Sequence, residues 1–214
     1  MSGHGRRVLG WATMVAGLGA LAVAAAVAWW PAHAPADAGT LPAAVATINP
    51  DPDPAPRRTL VPPPPPAPDS WTPARLDIDR LRVSAPVTAA GVTSGGDLAV
   101  PEDPSRLGWW IGSARPGDPR GTVLVAGHVD TARDGKGALF RLEDLPLGAT
   151  IEVRAGDRTV SYRSTARRSY AKTRLPGELF RRTGPAQLAL VTCGGAFRDG
   201  AYDHNVVVYA VPVP

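Results

Sequence analysis

Leu188-Ala189-Leu190-Val191-Thr192-Cys193-Gly194 is an apolar run that ends in the only cysteine of the chain. Its length and β-branching read as a buried strand. A second such run, Thr122-Val123-Leu124-Val125-Ala126, ends in Gly127-His128-Val129-Asp130. One Cys and one His therefore each stand just past a core strand, where a side chain emerges at the mouth of a site. A lone thiol paired in space with a histidine is the arrangement for nucleophilic acyl transfer. Read alone, Cys193 is equally compatible with an inert buried thiol.

Working outward, the pattern from Trp71 onward is short strands separated by turns. The candidates are 75–79, 83–92, 98–100, 122–126, 150–154, 159–170, 188–192 and 206–211. Gly95-Gly96, Asp134-Gly135 and Gly156-Asp157 are turn signals between them. Short helices are predicted near 138–145, with Gly148 after it, and at 175–182. Strands in this number with so little helix predict an all-β barrel or sandwich over residues 71–214. Gly194 and Gly195 read as a tight turn, and Trp109 and Trp110 as residues that pack the barrel.

The N-terminal third is of another kind. Val8 to Trp30 carries no charge, and at 1.5 Å per residue it makes roughly 35 Å of helix, enough to cross a bilayer. Arg6 and Arg7 precede it and Trp29-Trp30 stand at its far end, so residues 1–30 read as a cytoplasmic stub and transmembrane anchor. A cleavable signal peptide, cut after Ala32-His33-Ala34, is the other reading. Both place the domain outside the cell membrane. Residues 31–70 read as a disordered Pro-rich linker, with Pro50-Asp51-Pro52-Asp53-Pro54 and the run Pro62 to Pro66. In polyproline II, at roughly 3 Å per residue, it holds a domain up to about 100 Å away.

The 214 residues carry a formal net charge of +4, with arginine supplying nearly all of the 23 basic residues. No run of like charge and no basic stripe interleaved with aromatics is present, which argues against nucleic acid as a partner. His4, His33, His128 and His204 are too scattered for a metal site, no acidic cluster suggests calcium, and no Gly-rich phosphate loop occurs. No cofactor is expected. Outside the cell, paired cysteines would join; a single thiol there has no partner in the chain.

Gly127-His128-Val129-Asp130-Thr131, Leu190-Val191-Thr192-Cys193 and Asn205-Val206-Val207-Val208-Tyr209-Ala210 resemble the histidine loop, cysteine strand and last strand of the sortases. Val100-Pro101 to Gly108-Trp109-Trp110, and Cys193-Gly194-Gly195, look most similar to the class F sortases of actinobacteria. The resemblance covers 75–213. It implies an eight-stranded β-barrel and a membrane-anchored cysteine transpeptidase. Such an enzyme cleaves a Leu-Pro-x-Thr-Gly-like sorting motif on secreted proteins and joins the new carboxyl end to an amine. That amine belongs to the cell wall, in a peptidoglycan cross-bridge or stem peptide, or to a pilin. It further implies that Cys193 is the nucleophile and His128 the general acid/base.

Sortases also carry an arginine near the start of the last strand, and here Tyr202-Asp203-His204-Asn205 occupies that stretch. Arg198, on the preceding loop, and Asn205 are the candidates to replace it, with His204 beside them; backbone donors alone are the third possibility. Two rival functions remain: an extracytoplasmic cysteine hydrolase that passes the acyl group to water, and a catalytically weakened sortase-like binding domain.

Overall fold

The computed structural model describes residues 35–42, 72–94 and 97–214. The strands formed there are β1 (Ala38–Gly39), β2 (Pro73–Ile78), β3 (Val83–Ala90), β4 (Leu107–Trp110), β5 (Thr122–Ala126), β6 (Asp130–Thr131), β7 (Gly135–Lys136), β8 (Thr150–Ala155), β9 (Arg158–Ala171), β10 (Gln187–Arg198) and β11 (Ala201–Pro212). Strands β9, β11, β10, β5, β4, β3, β2 and β8 hydrogen-bond in that order. β8 pairs back onto β9 and closes an eight-stranded barrel. The β10–β5 and β3–β4 pairs are parallel, and the other barrel pairs are antiparallel. Closure leaves the barrel's own ladder without a free edge.

Side chains alternate across the wall. Val123, Val125, Leu188, Leu190, Val208 and Ala210 point inward and join a core with Leu76, Leu107, Trp109 and Tyr162. Their neighbours Leu124, Ala126, Ala189, Val191, Val207 and Tyr209 belong to a second cluster on the outer face, together with Leu179. Both faces of β5, β10 and β11 are thus covered, which is why these strands read as unbroken apolar runs.

Three sequence expectations change. Residues 98–100 form no strand and contribute only the bridge Val92↔Leu98. The strand between β3 and β5 is β4 instead. Gly108 lets it approach closely: an added Cβ would lie 2.9 Å from the Ala90 Cβ. Adjacent strand residues face opposite ways, so only Trp109 enters the core, where its Nε1 donates to Ala114 O at 3.1 Å. Trp110 lies outside, edge-on to Phe180. The two expected helices reduce to 3₁₀ turns at Leu142–Asp144 and Gly177–Phe180. Pro146 follows the first and Pro176 precedes the second, leaving segments too short to sustain an α-helix.

The proposed anchor 8–30 and most of the Pro-rich stretch lie outside the described residues. No helix among the described residues is long and apolar enough to cross a membrane. Part of the stretch read as linker is an ordered element. β1 pairs antiparallel with β9, Ala38 opposite Arg167 and Gly39 opposite Ala166. Thr40 N donates to Thr165 O, and Asp37 Oδ1 accepts from Ser169 N. Arg168 donates to Ala38 O and Gly39 O, at 2.6 and 2.8 Å.

Candidate active site

Cys193 lies on β10, between β5 and β11, and is partly exposed and unpaired. It continues the outward series Ala189, Val191. Its side chain therefore emerges where the cover over the outer apolar face ends. On its β11 side Asn205 stands directly opposite. On its β5 side the last paired residues are Val191 and Ala126. Two residues further along these parallel strands bring Cys193 level with His128. Period-two alternation puts both on the face that carries Ala126 and Val191.

The histidine segment is held by its backbone. Gly127 N donates to Val191 O at 3.1 Å, and Thr192 Oγ1 donates back to Gly127 O at 2.9 Å. The residue before the cysteine thus binds the residue before the histidine. Beyond His128, Val129 O accepts from Gly137 N at 2.8 Å. Gly137 is required there, because an added Cβ would sit 2.2 Å from His128 O. Asp130 Oδ2 accepts from Tyr202 Oη at 2.8 Å, which ties the histidine loop to β11. Desolvation and that carboxylate hold the proton on Tyr202, whose pKa is pushed up to about 12.

The hydrogen bond that reaches the sulfur comes from a residue the sequence reading missed. Lys172, directly after β9, donates from Nζ to Cys193 Sγ at 2.8 Å and to Asn205 Oδ1 at 3.3 Å. Asn205 Nδ2 donates to Lys172 O at 3.2 Å, and Lys172 N donates to Asp203 O at 2.9 Å. Lys172 lies two strands from Cys193 with β11 between them. Asn205 is short enough to let the lysine pass over it.

Of the arginine replacements considered, the structure brings Asn205 to the cysteine and leaves Arg198 away from it. Arg198 is exposed at the end of β10, where the chain turns through Asp199 and Gly200 into β11. Five residues of strand separate it from Cys193, roughly 15 Å. Its charge falls on Asp203, whose carboxyl is held below its ordinary value first by the His204 side chain, then by Ala196 N, with Arg198 adding to both. His204 is engaged there, with Nδ1 at 2.6 Å from Asp203 Oδ1. Asn205 is 6% exposed, and both ends of its amide are taken by Lys172.

Gly194 and Gly195 form a bulge inside β10, in place of the expected turn: the β10–β11 register shifts between Gly194 and Phe197. Gly195 has φ +80°, and an added Cβ would meet Asp203 Oδ1 at 2.2 Å. Beside the bulge a cleft of about 180 Å³ opens, lined by Val129, Phe140, Thr192, Cys193, Tyr202 and Val206 among others. On the outer face, Leu98, Val100, Trp110, Tyr170 and Leu175 are partly buried around the cluster that leads to Cys193. Among the described residues no group of three His, Cys, Asp or Glu is placed to hold a metal ion.

A thiol, an imidazole level with it on a neighbouring strand, an ammonium on the sulfur and an adjoining apolar face suit acyl transfer from an extended peptide. The sortase-domain family model matches residues 76–213. Sortase A from Corynebacterium diphtheriae, as a lid mutant, is similar at a TM-score of 0.51 and 20% identity, covering 65% of this chain and 69% of that one. Sortase C-1 from Actinomyces oris gives 0.51 and 19%, covering 65% and 73%. Sortase C1 from Streptococcus agalactiae gives 0.52 and 19%, covering 66% and 67%. No curated protein sequence matches the chain. At these identities the structures establish the fold, and the family model spans the whole barrel. The chain belongs to the sortase family.

Proposed function

We propose that the protein is a cysteine transpeptidase in which Cys193 is the nucleophile and His128 the general acid/base. The observation that carries this reading is the placement of Cys193 and His128 at one level on the parallel strands β10 and β5, beside an apolar outer face. The Cys193 thiolate attacks the threonine carbonyl of a Leu-Pro-x-Thr-Gly-like motif. The Thr–Gly bond breaks, a thioester forms on Sγ, and His128 gives a proton to the departing glycine amine. An incoming amine loses its proton to His128, attacks the thioester and restores the thiol. The leucine and proline of the motif suit the outer apolar face around Val191, Trp110 and Leu175. The amine belongs to a cell-wall peptide or a pilin, and the substrates are secreted proteins with C-terminal sorting signals. We place the chain with the class F group and assign residues 8–30 to a single-pass anchor, on the sequence features given above.

The test is a fluorogenic Leu-Pro-x-Thr-Gly peptide, assayed with and without an added amine. Joined product in the presence of amine is the expected result. Cleavage that ignores the amine identifies a hydrolase, and binding without cleavage identifies a weakened binding domain. Cys193→Ala abolishes thioester formation, and His128→Ala lowers turnover by about 10²-fold or more. Near wild-type turnover in Cys193→Ala would remove the assignment.

A further inference from the structure

An anionic sulfur and a tetrahedral oxyanion in a partly desolvated site both need a positive partner or strong donors. In this chain no arginine stands at the start of β11, where Asn205 faces Cys193. The cation that does reach the sulfur is Lys172, at 2.8 Å. We propose that Lys172 is a catalytic residue of this sortase. Its ammonium favours the Cys193 thiolate before acylation and donates to the oxyanion as the carbonyl is attacked, with Asn205 as its positioning residue.

Four observations support the assignment. The ammonium is uncommitted to acid: among the described residues no carboxylate lies within ion-pair distance of its Nζ, so its charge is directed at the sulfur and the Asn205 amide. The chain around it is fixed from both sides, since Lys172 N binds Asp203 O and Lys172 O accepts from Asn205 Nδ2. Asn205 itself is spent on this task; its only side-chain donor goes to a backbone carbonyl, leaving none for substrate. Finally, the chain uses arginine almost everywhere: Lys136 and Lys172 are the only lysines among its 23 basic residues. Lys136 lies over the Phe140 ring, and Lys172 lies on the nucleophile. A slender ammonium stem crosses above Asn205 where the broader guanidinium fork demands a wider passage.

The inference deepens the cysteine-transpeptidase reading and rests on it. The test keeps the two apart because Cys193 is the only thiol, so alkylation by iodoacetamide reports its reactivity in the full-length protein with no substrate at all. Wild type, Lys172→Gln, Lys172→Arg and the double variant Lys172→Gln/Asn205→Arg are compared at pH 7. The readouts are alkylation rate, thioester formation with the sorting peptide by intact mass, and thermal unfolding.

Lys172→Gln is expected to slow alkylation about tenfold and acylation about 10²-fold without lowering the melting temperature, because the side chain is exposed. Lys172→Arg keeps both rates within about tenfold. The double variant, which returns a cation from the β11 side, recovers at least part of the acylation lost in Lys172→Gln. Unchanged alkylation and acylation in Lys172→Gln overturn the proposal. So do equal losses in Lys172→Gln and Lys172→Arg at unchanged stability, since charge would then not be the property that counts. If no variant, wild type included, acylates on the peptide, the substrate reading fails while the alkylation ratio still decides the role of Lys172.

Discussion

Thr192→Val isolates the clasp between the two functional strands. Thr192 is 4% exposed and its hydroxyl donates to Gly127 O at 2.9 Å. Valine keeps the shape but replaces the donor with a methyl that cannot approach a carbonyl oxygen so closely. A typical hydrogen bond contributes about 1 kcal/mol net, and a buried acceptor left without its donor costs about 1–3 kcal/mol. The expected loss is about 2 kcal/mol, or roughly 5–10 °C in melting temperature for a domain of this size. A domain with ordinary stability of about 5–15 kcal/mol stays almost wholly folded at 25 °C after that loss. Any fall in turnover then reports geometry, because Gly127 precedes His128 and Thr192 precedes Cys193. Displacing one group by a fraction of an ångström to 1 Å is expected to lower kcat/KM by about ten- to a hundredfold. Denaturant unfolding and the peptide assay measure both, with Thr192→Ser as the control that keeps the donor. A Thr192→Val protein within 0.5 kcal/mol and about twofold of wild type would show that the clasp does not set the spacing.

Gly195→Ala places a Cβ 2.2 Å from Asp203 Oδ1 at φ +80°; the bulge must open, and a loss of about 1–3 kcal/mol is expected in chemical denaturation. Arg198→Ala changes acylation by less than about threefold, because its charge acts on Asp203 and not on the sulfur. Alkali is expected to destabilise the barrel between pH 10 and 12. Burial pushes Tyr162 up to about 12, and burial with the Tyr170 hydroxyl raises Tyr209 further. The folded state then holds protons the unfolded chain has released, so stability present below pH 10 falls as pH rises. Tyr162 alone accounts for about 2–3 kcal/mol at 1.36 kcal/mol per unit. An absorbance titration at 295 nm should show these phenols ionising only with unfolding; early reversible ionisation of every tyrosine would contradict it.

What could be read from the sequence was what is local. The apolar runs 122–126 and 188–192 became β5 and β10 because strands buried on both faces leave a continuous signal. His128 and Cys193 were legible because each directly follows such a run. β4 was not, since Leu107-Gly108-Trp109-Trp110 is short and depends on a glycine for its fit against Ala90. The Gly194-Gly195 pair gives the same signal for a turn and for a bulge; the β11 register decides between them. Lys172 was the most distant from local reading. Its approach to Cys193 depends on two successive registers, β9 on β11 and β11 on β10, and on Asn205 being small where they cross. The one available hint was compositional, a lysine in a chain that otherwise favours arginine.

The short strand β1 has a further consequence, for solubility. β8 covers β9 only as far as Arg163. Beyond it, the same margin of β9 would expose a row of unpaired backbone groups, a template on which another chain could add a strand. Residues 37–40 occupy that row, and Arg167 and Arg168 hold them by their carbonyls. A chain beginning at Thr72 would keep the whole barrel and lose this cover. Such a chain should fold and then self-associate with rising concentration, edge to edge through β9, as seen by sedimentation. The same barrel beginning at Pro35 should stay monomeric. A Pro-rich stretch that reads as a spacer thus carries, at its start, the guard that keeps one barrel from pairing with the next.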